Sequence, residues 1–231
     1  MKLAIMQPYF FPYLGYWQLV AAVDKYVVYD DVNFIKGGWI NRNNILLGGK
    51  SHMITLPLGK ASPFKKIMEI CVLGNTKMVQ KVYKTIECAY KRAPYFDAVA
   101  PIIRELLAAN DNIATLNFNT IRAINAYLGI KTELLLSSQI EKDNTLKGQD
   151  KVIHICKILG ADTYCNAIGG MELYDRTVFQ ENGIELKFIK MGDVSYRQFG
   201  NEFVPYLSII DVLMFNSPQE VLRHLSNFTF K

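Results

Sequence analysis

The stretch KLAIMQPYFFPYLGYWQLVAAVDKYVVYDD, residues 2–31, carries the pattern from which the architecture follows. Lys2 to Met6 is a short apolar run, Gly15 to Val23 is apolar almost all round, and Tyr26 to Tyr29 is a second short run. A segment apolar on every side reads as a buried helix. Strand, loop, helix and strand within about thirty residues is the βαβ pattern, which implies a parallel sheet through the right-handed crossover. Asp30 and Asp31 then fall at the carboxyl end of the second strand, the edge at which open α/β sheets bind ligands. Between strand and helix stands Gln7-Pro8-Tyr9-Phe10-Phe11-Pro12-Tyr13. Pro8 and Pro12 do not suit a helix, and a surface loop rarely carries so much apolar area. The segment reads as a ligand-binding turn feeding a helix, with Gly15 where the backbone can approach a ligand closely.

The rest of the chain continues the alternation around two interruptions. Residues 32 to 60 include GGWINRNNILLGGKSHMITLPL, two extended runs about Gly48-Gly49 that predict an inserted hairpin. Residues 76 to 128 predict a helical insertion with stripes at Val79, Val82, Ile86 and Ala89, at Ile102, Ile103, Leu106 and Leu107, and at Leu116, Ile121, Ile124 and Leu128. Pro94, Asn110 and Gly129 punctuate it. Strands follow at Glu133 to Ser137, Asp162 to Cys165 and Ile184 to Lys190, with helices near Lys147 to Leu159 and Tyr174 to Glu181. Ser217-Pro218-Gln219-Glu220 combines a capping box with proline at the first helical position. The expectation is one α/β domain over residues 1–231, with a five-stranded, doubly wound, mostly parallel sheet.

Bulk properties narrow the function. Half of the 231 residues are hydrophobic and 20% are charged, an ordinary globular balance. The net charge of +5 is spread out, with no basic run longer than Lys65-Lys66 or Lys91-Arg92, so no nucleic-acid partner is expected. Cys71, Cys88, Cys156 and Cys165 show no C-x-x-C and no short spacing to a histidine. The expectation is reduced, core-filling thiols and no structural metal. The first residues do not resemble a signal peptide, and no apolar stretch reaches the roughly 18 residues of a membrane span, which predicts a cytoplasmic protein.

Three constellations carry candidate chemistry. In the first, Gln7, Tyr13, Gly15 and Tyr16 lie in the opening turn, without a P-loop or G-x-G-x-x-G. In the second, Asp30 and Asp31 can orient an amine, a sugar hydroxyl or Mg²⁺, and Lys36 and Arg42 can pair with phosphate. Asn41, Asn43 and Asn44 supply amides there, Trp39 a stacking plane, and His52 follows the glycine turn. In the third, Asn166, Gly169 and Gly170 follow a strand at the same sheet edge, where a glycine pair can form an anion nest. Gln198, Ser208 and Asp211 come near the chain end, the last two sharing a helix face. No Ser-His-Asp or Cys-His arrangement is legible, so nothing favours a hydrolase.

Two resemblances follow from these residues. Tyr13-Leu14-Gly15-Tyr16 resembles the H-x-G-H turn of the nucleotidylyltransferase and class I synthetase superfamily, with Gly15 retained and tyrosine at both histidine positions. QPYFFPYLGYW, VVYDDVNFIKGGWINRNNI, ITLPL, YCNAIGGMELYD and FVPYLSIIDVLMFNSP together resemble the WbqC-like protein family nearly end to end. Cys165-Asn166 stands where that family's pattern has Ser-Gly, so a hydroxyl role there does not carry over. The family resemblance implies a place in bacterial O-antigen or surface-polysaccharide biosynthesis, attaching an amino acid such as glycine to an amino sugar. Three readings stay open: an ATP- and Mg²⁺-dependent ligase passing through an acyl-adenylate, an acyl or aminoacyl transferase with a preactivated donor, and a non-catalytic nucleotide-sugar-binding protein. The partners expected are a nucleotide sugar and an amino acid or acyl donor; the sequence sets no oligomeric state.

Overall fold

The computed structural model describes residues 1–74, 76–108, 112–200 and 202–231. It opens as the sequence predicts. β1 (Lys2–Met6), α1 (Leu14–Ala21) and β2 (Lys25–Val28) form a parallel βαβ unit in which Leu3 pairs with Lys25 and Met6 with Val28. An antiparallel hairpin, β3 (Arg42–Leu47) and β4 (Lys50–Thr55), turns through Gly48 and Gly49. Both glycines have positive φ, 61° and 75°, as a tight two-residue hairpin turn requires. A two-residue pair, β5 (Leu58–Gly59) with β6 (Cys71–Val72), was not legible in the sequence. The helical insertion is α2 (Lys77–Tyr90), α3 (Phe96–Ala108) and α4 (Ile113–Leu128); the break expected at Asn110 lies outside the described residues.

The alternation then resumes with β7 (Glu133–Leu136), α5 (Gly148–Ile158), β8 (Thr163–Ala167), α6 (Arg176–Glu181) and β9 (Glu185–Met191). The chain closes through α7 (Ile209–Phe215), α8 (Pro218–Ser226) and β10 (Phe228–Phe230). Among the described residues the main sheet has six strands in the order β10-β9-β8-β1-β2-β7, rather than the five expected. β10 pairs antiparallel with β9, and every other neighbouring pair is parallel. From β1 the sheet grows one way through β2 to β7, then the other way through β8 and β9. The direction reverses between β1 and β8.

Helices cover both faces of the sheet. Leu3, Ile5 and Val27 face Val152, Ile155 and Cys156 of α5 and Phe179 of α6, while Ala4, Tyr26 and Val28 face α1 and the larger core. A strand buried on both sides needs apolar residues in succession, which is why β1 reads as a run rather than an alternation. The same sandwiching buries every residue of α1 from Leu14 to Val20. Its one amide, Gln18, donates to the carbonyls of His224 and Asn227 at 2.9 Å each, tying α1 to the end of α8. Cys156 and Cys165 fill the core as expected, and burial pushes their thiols up to about 12 and about 11. Cys71 and Cys88 are exposed instead. Among the described residues no helix is long and apolar enough to cross a membrane.

Candidate functional site

The carboxyl ends of β1, β2, β7 and β8 meet at one edge, and the segments leaving them carry most of the predicted residues. Asp30 and Asp31 both lie there, buried. Asp30 accepts from the Ser138 amide at 2.9 Å and the Ser138 hydroxyl at 2.6 Å. One oxygen of Asp31 receives Lys142 at 3.0 Å and Lys151 at 3.1 Å. Lys151 also stands 5.5 Å above the Tyr29 ring, and Lys142 also donates to the Ser137 and Ile140 carbonyls. Burial acts to raise the Asp31 carboxyl, but the nearby Ser137 hydroxyl and the two lysines outweigh it and hold the group below its ordinary value. Asp31 is therefore held by two ammoniums and Asp30 by Ser138. Sequence reading missed both lysines. Lys151 left a signal, a charge beside Val152 and Ile153 on a buried helix face; Lys142, in a loop, left none.

The aromatic turn is held by side chains that reach it from distant segments. Asn43 donates to the Phe10 carbonyl at 3.0 Å and the Phe11 carbonyl at 2.8 Å. Ser208 donates to the same Phe11 carbonyl at 2.7 Å, and Trp17 donates from its indole to the Pro12 carbonyl at 3.0 Å. Asn117 of α4 takes the Pro8 carbonyl at 3.1 Å, and the Tyr16 hydroxyl takes the Gln7 carbonyl at 3.0 Å. Buried carbonyls need such partners, and in a turn without regular ladder pairing side chains supply most of them, with the Ile209 amide also donating to the Pro12 carbonyl at 3.0 Å. Phe11 sits at φ 42°, a left-handed conformation that a bulky residue adopts only when its surroundings impose it. Asn43 and Ser208, expected at a substrate, thus position the turn itself, and Tyr16 points inward.

The other predicted residues scatter by role. Asn41 donates to the Leu56 carbonyl at 2.9 Å, and Arg42 folds onto the Gly37 and Gly38 carbonyls. Lys36 is exposed and pairs with no acid among the described residues. His52 is exposed on β4 and lines a separate hollow with Met78 and Lys81. Asn166 is buried and donates to the Tyr164 hydroxyl at 3.1 Å. Gly169 and Gly170 lie in a 3₁₀ turn, Ile168–Leu173, and neither has positive φ, so the pair does not form the anion nest. Asp211 is fully buried and accepts from Tyr90 at 2.8 Å, Tyr196 at 2.7 Å and Gln198 at 2.7 Å. Burial lifts its carboxyl above the ordinary value, against the pull of those donors.

Two features at this edge are suited to a ligand. The N-termini of α1 and α5 lack a side-chain cap, whereas α2, α4, α6, α7 and α8 are capped by Thr76, Asn112, Asp175, Ser208 and Ser217. Uncapped N–H groups with the helix dipole behind them favour an anion. Beside α1 lies a cleft of about 290 Å³ walled by Tyr9, Pro12, Tyr13, Trp39, Asn43 and Tyr206. It shares Tyr13 and Tyr206 with a second cavity of about 300 Å³ that reaches Leu14 and Gly192 at the end of β9. A Cβ on Gly15 would stand 2.6 Å from the Tyr13 ring, so this glycine makes room for an aromatic wall.

Comparison with known proteins agrees over nearly the whole chain. The profile of the WbqC-like protein family matches residues 7–223. The curated relative "Uncharacterized protein Rv1507c" of Mycobacterium tuberculosis is 30% identical over 229 residues, covering 97% of this chain and 97% of that one. No solved structure shows a significant match.

Proposed function

The chain belongs to the WbqC-like protein family, and from that membership and the geometry of its sheet edge we propose that it forms an amide on an amino sugar in bacterial surface-polysaccharide biosynthesis. The carboxylate, that of glycine for example, is activated by ATP. The observation that carries the reading is the pair of uncapped helix N-termini at the carboxyl edge, where the sheet changes direction between β1 and β8. Nucleotide phosphates seat at such places. The strand order supports a doubly wound, nucleotidylyltransferase-like sheet.

In this reading a carboxylate oxygen attacks the α-phosphorus of ATP and pyrophosphate leaves. The sugar amine then attacks the acyl carbon, the amide C–N bond forms, AMP departs with its bonding pair, and the amine gives up a proton. The chain contributes placement and charge stabilisation. Backbone N–H groups of α1 and α5 hold phosphate oxygens, and Lys36 offers a cation that pairs with no acid among the described residues. Asp31, clamped by two lysines, keeps β2, β7 and α5 in register at the edge. Both oxygens of Asp30 are engaged by Ser138, so a Mg²⁺ would enter with the nucleotide phosphates rather than reside on that acid.

The test is pyrophosphate and AMP release from ATP with glycine and a panel of nucleotide-linked amino sugars. Sugar-dependent release is the expected result; absence of ATP binding at saturating Mg²⁺ would refute adenylation. A second reading is favoured by one observation: Tyr16, at a histidine position of the H-x-G-H turn, directs its hydroxyl to the Gln7 carbonyl. Without a cation there, the chain binds a nucleotide sugar without turnover or takes its acyl group from a preactivated donor. Binding of the nucleotide sugar with no ATP dependence would select that branch.

A further inference from the structure

We propose that the cleft between Trp39 and Tyr206 is a stacking subsite for a nucleobase. The proposal deepens the nucleotide reading above and rests on it. The walls leave three large aromatic side chains open to water together: Tyr13 at 37%, Trp39 at 44% and Tyr206 at 71% exposure. Single exposed aromatics are ordinary, but a cleft rimmed by three of them is a surface made for a flat partner.

The polar groups of the cleft favour a base over a pyranose. Asn43 is the amide in its wall, and both of its N–H bonds go to the Phe10 and Phe11 carbonyls while its oxygen accepts from the Asn44 amide. Tyrosine hydroxyls remain. A sugar ring brings hydroxyls that each lose hydrogen bonds when buried without partners, whereas a base offers two apolar faces. The cleft volume, about 290 Å³, suits one ring system rather than a whole nucleotide sugar.

The walls are also preorganised, and at a cost. Tyr206 sits at φ 57°, a conformation unfavourable for an aromatic residue, yet its ring gains little burial in exchange. Backbone strain of this kind collects at ligand sites. On the other side, the Trp39 carbonyl receives the Phe10 amide at 2.9 Å, and Arg42 grips the preceding Gly37 and Gly38 carbonyls. Tyr13 joins the two halves of the ligand. It walls the cleft and is the N-cap residue of α1, so a base stacked here carries its phosphates toward the uncapped N–H groups.

The test follows Trp39 fluorescence during titration with adenosine, uridine, ATP, UDP-N-acetylglucosamine and inorganic tripolyphosphate, with calorimetry on the wild type, Trp39→Leu and Tyr206→Asn. Trp17 is buried and serves as the internal reference. Asn suits the left-handed backbone at 206, and neither position belongs to the core. The expected result is saturable quenching by a nucleotide and by its free nucleoside, with each variant binding that nucleotide roughly tenfold more weakly and tripolyphosphate unchanged. If a nucleotide binds and both variants bind it as the wild type does, the stacking subsite is overturned while the nucleotide reading stands. If nucleosides quench Trp39 but no amide is formed with any donor, the subsite stands and the proposed reaction falls. If neither nucleotide nor nucleoside binds, both fall.

Discussion

Replacing Asn43 with alanine removes both donors that hold the Phe10 and Phe11 carbonyls and the acceptor for the Asn44 amide. Each net hydrogen bond is worth about 1 kcal/mol, and a stranded buried carbonyl costs about 1 to 3 kcal/mol more. Phe10 loses its side-chain donor, but Phe11 keeps the Ser208 hydroxyl at 2.7 Å. Asn43→Ala should therefore destabilise by about 2 to 4 kcal/mol, and by roughly 2 to 4 °C in Tm for each kcal/mol in a chain of this size. Ser208→Ala loses its bond to Phe11 and the α7 cap, together about 1 to 2 kcal/mol, and leaves Phe11 to Asn43. The double variant strands the Phe11 carbonyl, so its loss should exceed the sum of the singles by about 1 kcal/mol or more. Urea unfolding, followed by circular dichroism and by fluorescence of Trp17, whose indole donates within the same turn, measures all four corners of the cycle. A double variant that is merely additive would refute the shared-carbonyl account of the turn.

Other expectations test separate parts of the edge. Asp31→Leu leaves Lys142 and Lys151 buried without their acid and should cost about 3 to 5 kcal/mol in urea unfolding. Because the Asp31 carboxyl is held below its ordinary value, its contribution is complete above about pH 4 and is lost as pH falls through the folded value. The variant's stability should accordingly fall less steeply in acid. Asp211 has the opposite sign: its raised carboxyl favours the fold at low pH, and that advantage disappears as pH rises through its folded value. The difference in stability between Asp211→Asn and the wild type should shift toward the variant from pH 4 to pH 7. Gly15→Ala forces the Tyr13 ring aside without entering the core, so Tm should move little while nucleotide affinity falls. A large Tm drop would show that the ring cannot yield.

The elements legible in the sequence were those whose burial leaves a local trace. β1 and β2 are sandwiched on both faces and so read as unbroken apolar runs; Ser217 to Glu220 announces α8 because a cap is made by neighbours in sequence. β10 left no such trace, being three residues long and defined by its pairing with β9 rather than by a pattern of its own. The site was legible as a place more than as a set of roles. Asp30, Asp31 and Asn166 do gather at the carboxyl edge, as the βαβ rhythm implied. Yet an asparagine able to grip a substrate is equally able to grip a carbonyl, and Asn43 meets Phe10 and Phe11 across more than thirty positions of chain. Residue type states the capacity; only the long-range pairing states its use.

The position of β1 in the sheet also governs the order in which the protein can be made. Its β2 edge is satisfied almost at once, since Leu3 pairs with Lys25, but its other edge waits for Thr163 to Cys165. At about 5 to 20 residues per second of synthesis, that interval is roughly seven to thirty seconds. The helices α2 to α4 emerge meanwhile and can form from local contacts, whereas β1, one of the two central strands, stays open on one side, apolar on both faces. Nascent chains halted before β8 has left the ribosome should therefore engage chaperones strongly, and longer chains should release them as β8 closes onto β1.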